Sequence, residues 1–326
     1  MPSIRRIILT VSSVWLAVAG FTSALGSVNG KPFPNLVDVT IDDLQEGLRS
    51  GLFSSVDLVN AYLARIQEVN STLHAVTEVN PDALRTACEL DSMRVTGTNL
   101  GPLHGVPILI KNTIATKDKM GNSAGSWALV GTKVPVDSFV AQKLRKAGAV
   151  ILGKTNLMVA RAAVVWRPHS VLRSLHLVRR SGSILSPAQK NNLVGIKPTV
   201  GLTSRHLVIP ISEHQDTIGP MVRTVKDAAI ILEAIAGFDP KDNYTGAIPH
   251  CGKIPNYAVR LDVEYLKEAR IGVPYNVLPS SNNSEEMVAF WNVIELMQGE
   301  GAAIVDASWA DASAPTSNTI LPADFI

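Results

Sequence analysis

The chain has 326 residues, of which 46% are hydrophobic and 18% charged, and its formal net charge is +2. This apolar content is enough for a sizeable core, and the length allows one large domain or two ordinary ones. The near-neutral charge balance gives no whole-chain bias towards nucleic acid or other polyanions. We therefore expect a folded protein without a nucleic-acid partner.

The N-terminal segment is typical of a secretory signal peptide, which we predict over residues 1–26. Arg5 and Arg6 precede an apolar run from Ile7 to Ala19, and small residues follow. The alternative is a membrane anchor, but the cleanly apolar part is shorter than the roughly 20 residues that a membrane-spanning helix needs. We expect a secreted protein without membrane attachment after cleavage, folded over residues 27–326.

A secreted protein can be glycosylated at Asn-X-Ser/Thr sequons, and three of them begin at Asn70, Asn243 and Asn282. Each could carry a glycan, although such triplets also occur by chance. The two cysteines, Cys88 and Cys251, could form one disulfide or remain as two unpaired buried thiols.

The elements that follow alternate between helices and short strands. Thr40 with Asp43, and Ser54 with Asp57, predict capping boxes at two helix starts, and the second helix is predicted to stop at Asn70. Further strands are predicted over 75–79, within 101–110, and over 149–152, 270–273 and 303–305, and further helices over 81–90, 139–147 and 284–297. This alternation predicts an α/β sheet with helices on both faces.

One stretch differs in composition from the rest. Residues 138–212 contain no Asp or Glu but many Lys and Arg, and the part from Arg161 to Arg180 has no convincing helical or strand period. It could be a basic patch for polyanions, a solvated loop, or a segment that is not native to the fold. The third interpretation applies to residues 158–182.

Lys111 is a candidate catalytic base, because it directly follows the predicted buried strand that ends at Ile110. Burial disfavours the charged ammonium and lowers its pKa, and a lysine must lose its proton before it can act as a base. Lowering the pKa from about 10.4 to near 7 requires about 4.6 kcal/mol. The alternative is an ordinary lysine that extends its ammonium into solvent at a strand end.

The residues that end at Lys111 read Gly-Pro-Leu-His-Gly-Val-Pro-Ile-Leu-Ile-Lys over 101–111. This stretch resembles the lysine motif of the amidase signature family, and 115–120 and 124–126 follow as in its fungal members. Further on, 193–204 and 209–221 match the stretches after the family's nucleophile. The resemblance implies the family's α/β fold, a mixed β-sheet flanked by helices, which we expect to be incomplete at the C-terminus.

The resemblance also implies hydrolysis of carbon–nitrogen amide bonds in a small-molecule substrate by a Ser–Ser–Lys relay, without a metal or an organic cofactor. In that relay a lysine acts through a bridging serine on a nucleophilic serine, which forms an acyl-enzyme. Lys111 matches the base and Ser183 the nucleophile. Ser181 and Gly182 match the loop before the nucleophile, whose backbone N–H groups stabilise the oxyanion.

The chain departs from the family pattern in one place. A Gly/Ser-rich loop supplies the family's bridging serine, and nothing like it precedes Ser183. The interval from Lys154 to Ser183 is also far shorter than in the family, and the usual Thr-Asp-Gly reads Arg-Ser-Gly over 180–182. We interpret 158–182 as an atypical insert or a wrongly assigned part of the gene. The alternative function is therefore a catalytically inactive amidase-like secreted protein, or an incomplete gene product.

Overall fold

The computed structural model describes residue 36 and residues 38–157, 173–178, 183–249, 252–259, 261–278 and 284–308, with the backbone alone for 173–178. The predicted signal peptide, Ser181, Gly182, Cys251 and Asn282 lie outside the described residues. The chain divides into two compact units, Met1–Pro255 and Asn256–Ile326. Among the described helices, none combines the length and apolar character that a membrane crossing requires.

Two helices open the first unit, α1 (Ile41–Arg49) and α2 (Ser55–Leu73), and both predicted capping boxes are present. The hydroxyl of each cap, Thr40 or Ser54, accepts the backbone N–H three residues later. The carboxylate of that later residue accepts the backbone N–H of the cap in return. These bonds satisfy N–H groups that a helix start leaves without a partner.

The prediction that α2 stops at Asn70 is wrong, because the helix continues to Leu73 and ends at His74 in the left-handed conformation. Asn70 acts from inside the helix instead. Its carboxamide oxygen accepts the N–H groups of Ala75 and Val76, and its NH₂ group donates to the Val76 carbonyl at 2.8 Å. Asn70 therefore ties the first strand to the last turn of the helix.

In the rest of the first unit, helices and strands alternate as predicted up to the third strand, and the sequence does not predict the elements after it. They are β1 (Val76–Val79), α3 (Ala83–Val95), β2 (Pro107–Lys111), a 3₁₀ helix (Trp127–Leu129), α4 (Phe139–Lys146), β3 (Val150–Thr155), β4 (Arg173–Val178), α5 (Leu185–Lys190), β5 (Val194–Gly195), β6 (Thr217–Val222), α6 (Val225–Ile235) and a second 3₁₀ helix (Asn243–Ala247).

The six strands form one sheet in the order β1-β3-β2-β4-β6-β5. β2 runs parallel to both of its neighbours, and the remaining pairs are antiparallel. The predicted α/β fold with a mixed sheet is confirmed.

Every residue of the two adjacent strands β2 and β3 is buried. Leu109, Val150 and Leu152 belong to one apolar cluster with Leu58 and Tyr62 of α2. Each such apolar side chain contributes about 1.5–3 kcal/mol when it is fully buried. This packing fixes the two strands that carry the candidate site at their ends.

The structure corrects one expectation for the segment 158–182. Its part from Arg161 to Arg180 showed no convincing strand period, yet it contains β4, which lies between β2 and β6 in the sheet. Leu175 and Leu177 do alternate with polar residues in the sequence. An alternation of this length is too short to separate a strand from chance.

The second unit has its own two-stranded parallel sheet, β7 (Arg270–Val273) and β8 (Ala303–Asp306). Between them lies α7 (Glu285–Gly299), whose cap Ser284 accepts the Met287 N–H. This confirms the predicted strand–helix–strand order. Two short 3₁₀ helices, Val263–Leu266 and Tyr275–Val277, complete the described elements of this unit.

Candidate active site

Lys111 is the last residue of β2, at the carboxyl end of the central parallel strands. Its neighbour in the register is Thr155, the last residue of β3. Only 3% of Lys111 is exposed, so the alternative of an ammonium extended into solvent is wrong. Burial lowers the pKa of Lys111 to about 8, against the negative charge of Asp216. At pH 7, Lys111 is then neutral in about a tenth of the molecules.

The turn after Lys111 joins β2 to a distant part of the chain. The Ala115 N–H donates to the Leu207 carbonyl at 3.1 Å, and the Ile209 N–H donates to the Thr113 carbonyl at 2.9 Å. The two motif-bearing parts of the chain, before and after β4, therefore meet beside the end of β2.

Asp216 lies at this same edge, and the sequence analysis does not identify it. β6 is antiparallel to β4, and β4 is parallel to β2, so the start of β6 lies at the same edge of the sheet as the end of β2, with β4 between them. Asp216 directly precedes β6 and is 1% exposed. Its Oδ2 accepts the N–H groups of Ile211 and Ser212 at 2.6 and 3.0 Å. The signal that could have found it is an acidic residue directly before an apolar strand.

A second buried lysine, Lys154, lies on β3. The sequence predicts that this strand ends at Leu152, whereas it continues to Thr155. Lys154 is fully inaccessible to solvent. Because it is paired with Ile110 in the register, it faces the side of the sheet opposite to Lys111. It could have been found as Lys111 was, as a lysine at the end of a buried strand.

The Lys154 ammonium donates to the Ile114 carbonyl and, at 3.3 Å, to Oδ1 of Asn122. Asn122 in turn accepts the Thr116 N–H at 2.9 Å and donates to the Thr116 carbonyl at 3.2 Å. Lys154 thus holds the loop that follows Lys111.

The pKa of Lys154 is also lowered, to about 8. Burial is the main cause, and it outweighs the opposing charges of Asp118, Glu78 and Asp137. Arg145 adds to the lowering because it is a like charge. Two lysines with similar acidity therefore lie on adjacent strands.

Ser183 lies in a half-buried turn just before α5. The next residue, Ile184, is fully buried, and it packs closely against Gly195 of β5 and Gly219 of β6. The Ser183 segment therefore rests on β6, which β4 separates from β2 in the sheet. The structure thus places Lys111 and Ser183 in the same unit, with Lys111 on β2 and the Ser183 turn next to β6, a strand that is not adjacent to β2.

Three buried polar atoms at the end of β2 have no hydrogen-bond partner, namely Oγ1 of Thr113, Oγ1 of Thr155 and Oδ1 of Asp216. Leaving such a group unpaired costs about 1–3 kcal/mol, so each one needs an explanation such as a catalytic role or a bound group. Their grouping beside a lysine of lowered pKa makes this sheet edge the candidate active site. The described residues contain no cluster of His, Cys, Asp or Glu that could hold a metal ion.

The structure describes two of the three predicted glycosylation sites and one of the two cysteines. Asn70 uses its NH₂ group in a hydrogen bond to Val76, which a glycan would have to displace. Asn243 is exposed at the start of its 3₁₀ helix and is the more favourable acceptor of the two. Cys88 is an exposed free thiol, which corrects both alternatives given for it, a disulfide and a buried thiol.

Comparison with known proteins gives one family. The family model described as Amidase matches residues 57–164 and 180–325 and leaves 165–179 unmatched. A relative from Arthroderma benhamiae that is named as an amidase is 43% identical over 353 residues, covering 90% of this chain and 60% of the relative. One component of the glutamyl-tRNA(Gln) amidotransferase from Thermobifida fusca is 34% identical over 302 residues, covering 84% of this chain and 60% of the relative.

Among solved structures, the peptide amidase from Stenotrophomonas maltophilia is similar, with a TM-score of 0.74 and 36% identity. The match covers 85% of this chain and 63% of that chain. This chain therefore spans about 60% of the length of the proteins it matches.

Proposed function

The chain belongs to the amidase family, and we propose that it carries an amide-hydrolysing site of the Ser–Ser–Lys type, with Lys111 as the base and Ser183 as the nucleophile. The observation that carries this proposal is the burial of Lys111, with a pKa of about 8, beside three unpaired polar atoms. A base of this pKa can accept a proton and return it near neutral pH.

The proposed reaction has two stages. Neutral Lys111 takes the proton of Ser183 through an intervening hydroxyl, and the Ser183 oxygen attacks the amide carbonyl. The carbon–nitrogen bond breaks, the amine leaves with the transferred proton, and an ester to Ser183 remains. Water then gives a proton to Lys111 along the same path and attacks the ester, the acid is released, and the proton returns to the Ser183 oxygen. The backbone N–H groups of Ser181 and Gly182 are the proposed donors to the oxyanion.

A small-molecule or peptide amide is the proposed substrate class. It is supported by the name of the similar peptide amidase and by the family assignment. We also propose that the protein is secreted, because a basic stretch, an apolar run and small residues occupy positions 1–26 in the order of a signal peptide.

A specific observation favours a second candidate function, an amidase-like protein without catalysis. The sequence lacks a Gly/Ser-rich loop before Ser183, and the family model leaves residues 165–179 unmatched. The match to the Arthroderma relative extends over 353 residues, more than the 326 of this chain, so the relative has additional residues within the same span. The bridging serine would belong to such a missing stretch.

Covalent labelling separates the two candidates. A fluorophosphonate reacts with an activated serine, so an active chain should be labelled at Ser183 and should release ammonia from a peptide amide. Lys111→Met should slow labelling by about 100-fold or more. Ser183→Ala should abolish it, while Ser186→Ala, three residues away, should leave it unchanged. A folded protein that shows no label at Ser183 would support the non-catalytic candidate.

A further inference from the structure

We propose that His104 is an acid-sensitive contact, whose neutral ring holds the turn before β2 against α3 and whose protonation releases that turn. The turn comprises residues 101–105 and precedes Pro107, the first residue of β2, whereas Lys111 lies at the other end of the strand. The proposal therefore goes beyond the proposed function and does not depend on it.

Both nitrogens of the His104 ring are bonded to the backbone, and the residue is fully buried. Nδ1 accepts the Leu100 N–H at 3.1 Å, and Nε2 donates to the Leu90 carbonyl at 2.9 Å. A backbone N–H can only donate and a carbonyl can only accept, so the two bonds require the neutral ring with its hydrogen on Nε2. A protonated ring would carry a second hydrogen on Nδ1, directed at the Leu100 N–H.

Protonation of His104 would remove one hydrogen bond and bury a charge. The bond from Leu100 would be lost, because two N–H donors would then face each other. His104 forms no ion pair with a described residue, so the charge would be buried without a partner, which is costly. The surroundings of the ring therefore favour its neutral form.

Two charged side chains of the described part of the chain act on the ring, and both lie on α3. Arg94 disfavours a charged ring, and Asp91 favours it. Asp91 is bound elsewhere, since its two oxygens accept the N–H groups of Ser55 and Val56 at 2.8 and 3.0 Å. Burial is the main cause that lowers the pKa of His104 below its ordinary value.

The turn that His104 closes contacts three other elements. The His104 carbonyl accepts from the neutral Gln45 amide of α1 at 3.0 Å and from Arg94 of α3 at 2.7 Å. The Gly105 N–H donates to the carbonyl of Gly148, just before β3, at 2.8 Å. Release of the ring would therefore loosen the contacts of α1, α3 and the start of β3 with the start of β2.

The direction of the pH effect follows from the lowered pKa of His104. In the unfolded chain a histidine has a pKa of about 6.5. Between that value and the lower one of the folded chain, the unfolded chain binds more protons. The free energy of unfolding should therefore fall as the pH falls through this window, and the contribution of His104 is complete above it.

His104→Asn tests the proposal, because Asn cannot be protonated while its carboxamide oxygen can still accept the Leu100 N–H. His104→Gln is the second variant, whose longer side chain can donate to the Leu90 carbonyl. His214→Asn is the matched control, since His214 is exposed and its Nδ1 lies 3.1 Å from the Tyr244 hydroxyl. The full chain and each variant are unfolded in urea at several values between about pH 7 and pH 5.5.

Over this range, acid should raise the unfolding equilibrium constant of the wild type by about 5-fold more than that of either His104 variant. His214→Asn should keep the wild-type dependence. In the wild type, ¹⁵N NMR of the histidine rings should show the His104 ring with its hydrogen on Nε2 near neutral pH. That ring should titrate below about pH 6.5.

Either of two results would overturn the proposal. One is that His104→Asn or His104→Gln keeps the complete acid dependence of the wild type. The other is that the His104 ring carries its hydrogen on Nδ1 near neutral pH, or titrates at or above about pH 6.5. The NMR measurement is made on the wild type, where the ring is assigned from the His104 backbone, so it decides the question even if neither variant folds.

Discussion

β2 and β3 run side by side and in parallel through the centre of the sheet, and each carries a buried lysine near its carboxyl end. Burial lowers the pKa of both lysines to about 8. Their surroundings differ. The Lys154 ammonium donates to a carbonyl and to a carboxamide that is itself bonded to the same loop. Around Lys111, a threonine on the adjacent strand, a threonine in the next turn and a carboxylate each have an unpaired buried atom.

A lowered lysine pKa therefore does not by itself identify a catalytic residue. Burial is the main cause of the lowering at both lysines. The distinguishing property is whether the polar groups nearby are satisfied by the fold. Lys154 belongs to a hydrogen-bond network that stabilises a loop, whereas three buried polar atoms around the end of β2 have no hydrogen-bond partner.

The free energy of unfolding should change most strongly with pH. Both folded-state pKa values lie near 8, below the value of about 10.4 for an unfolded lysine. Between these values the unfolded chain binds more protons than the folded chain, so the free energy of unfolding should rise as the pH rises. Each lysine should contribute on the order of 3 kcal/mol across the window. Urea unfolding at several values between pH 7 and pH 10.5 measures this rise.

Lys111→Met and Lys154→Met should each remove one lysine's share of the rise, and the double variant should remove both. Because the two side chains face opposite sides of the sheet, the effects should be close to additive. A single variant that retains the complete rise would show that its lysine is not the buried group described here.

A smaller effect is expected from the loop that Lys154 holds. Asn122→Ala removes the partner of the Thr116 N–H and carbonyl and one acceptor of Lys154, so we expect a loss of about 2–3 kcal/mol. Asn112→Ala is the matched control, since Asn112 is almost equally buried. Its amide makes two bonds, to Thr77 at 3.2 Å and from Ala124 at 3.4 Å, and lacks the 2.9 Å bond that Asn122 makes, so about 1 kcal/mol is expected. If both variants lost the same free energy of unfolding in urea, Asn122 would stabilise the fold no more than Asn112 does, which would contradict this prediction.

The sequence predicts well those features that depend on local chemistry. Both capping boxes form where Ser or Thr is followed three residues later by Asp, because the bonds involve only neighbouring residues. Lys111 is found at the end of its strand because an apolar run ending in a lysine is a local pattern. The mixed α/β sheet follows from the same alternation of elements and from the family resemblance.

The features that the sequence misses depend on contacts between distant residues. Asp216 comes to the same edge of the sheet as Lys111 through the order and directions of β2, β4 and β6. Lys154 becomes buried because β3 continues past Leu152, with β1 and β2 on either side of it. β4 itself has a sequence pattern that is too short to recognise, and its pairing with β2 and β6 places it in the sheet.

The smallest change in stability should come from removing one of the unpaired atoms at the end of β2. Thr155→Val replaces a buried hydroxyl that has no partner by a methyl group of similar size, so stability should stay within about 1 kcal/mol of the wild type or rise. Thr203→Val is the matched control; Thr203 lies outside the strands, but its hydroxyl binds the backbone of Ile218 on β6. Thr203 is equally buried, but its hydroxyl donates to the Ile218 carbonyl at 2.9 Å and accepts the Ile218 N–H at 3.1 Å, so about 2 kcal/mol should be lost. If Thr155→Val lost as much free energy of unfolding as Thr203→Val, the Thr155 hydroxyl would have a partner in solution. The contrast between the surroundings of Lys111 and those of Lys154 would then no longer hold.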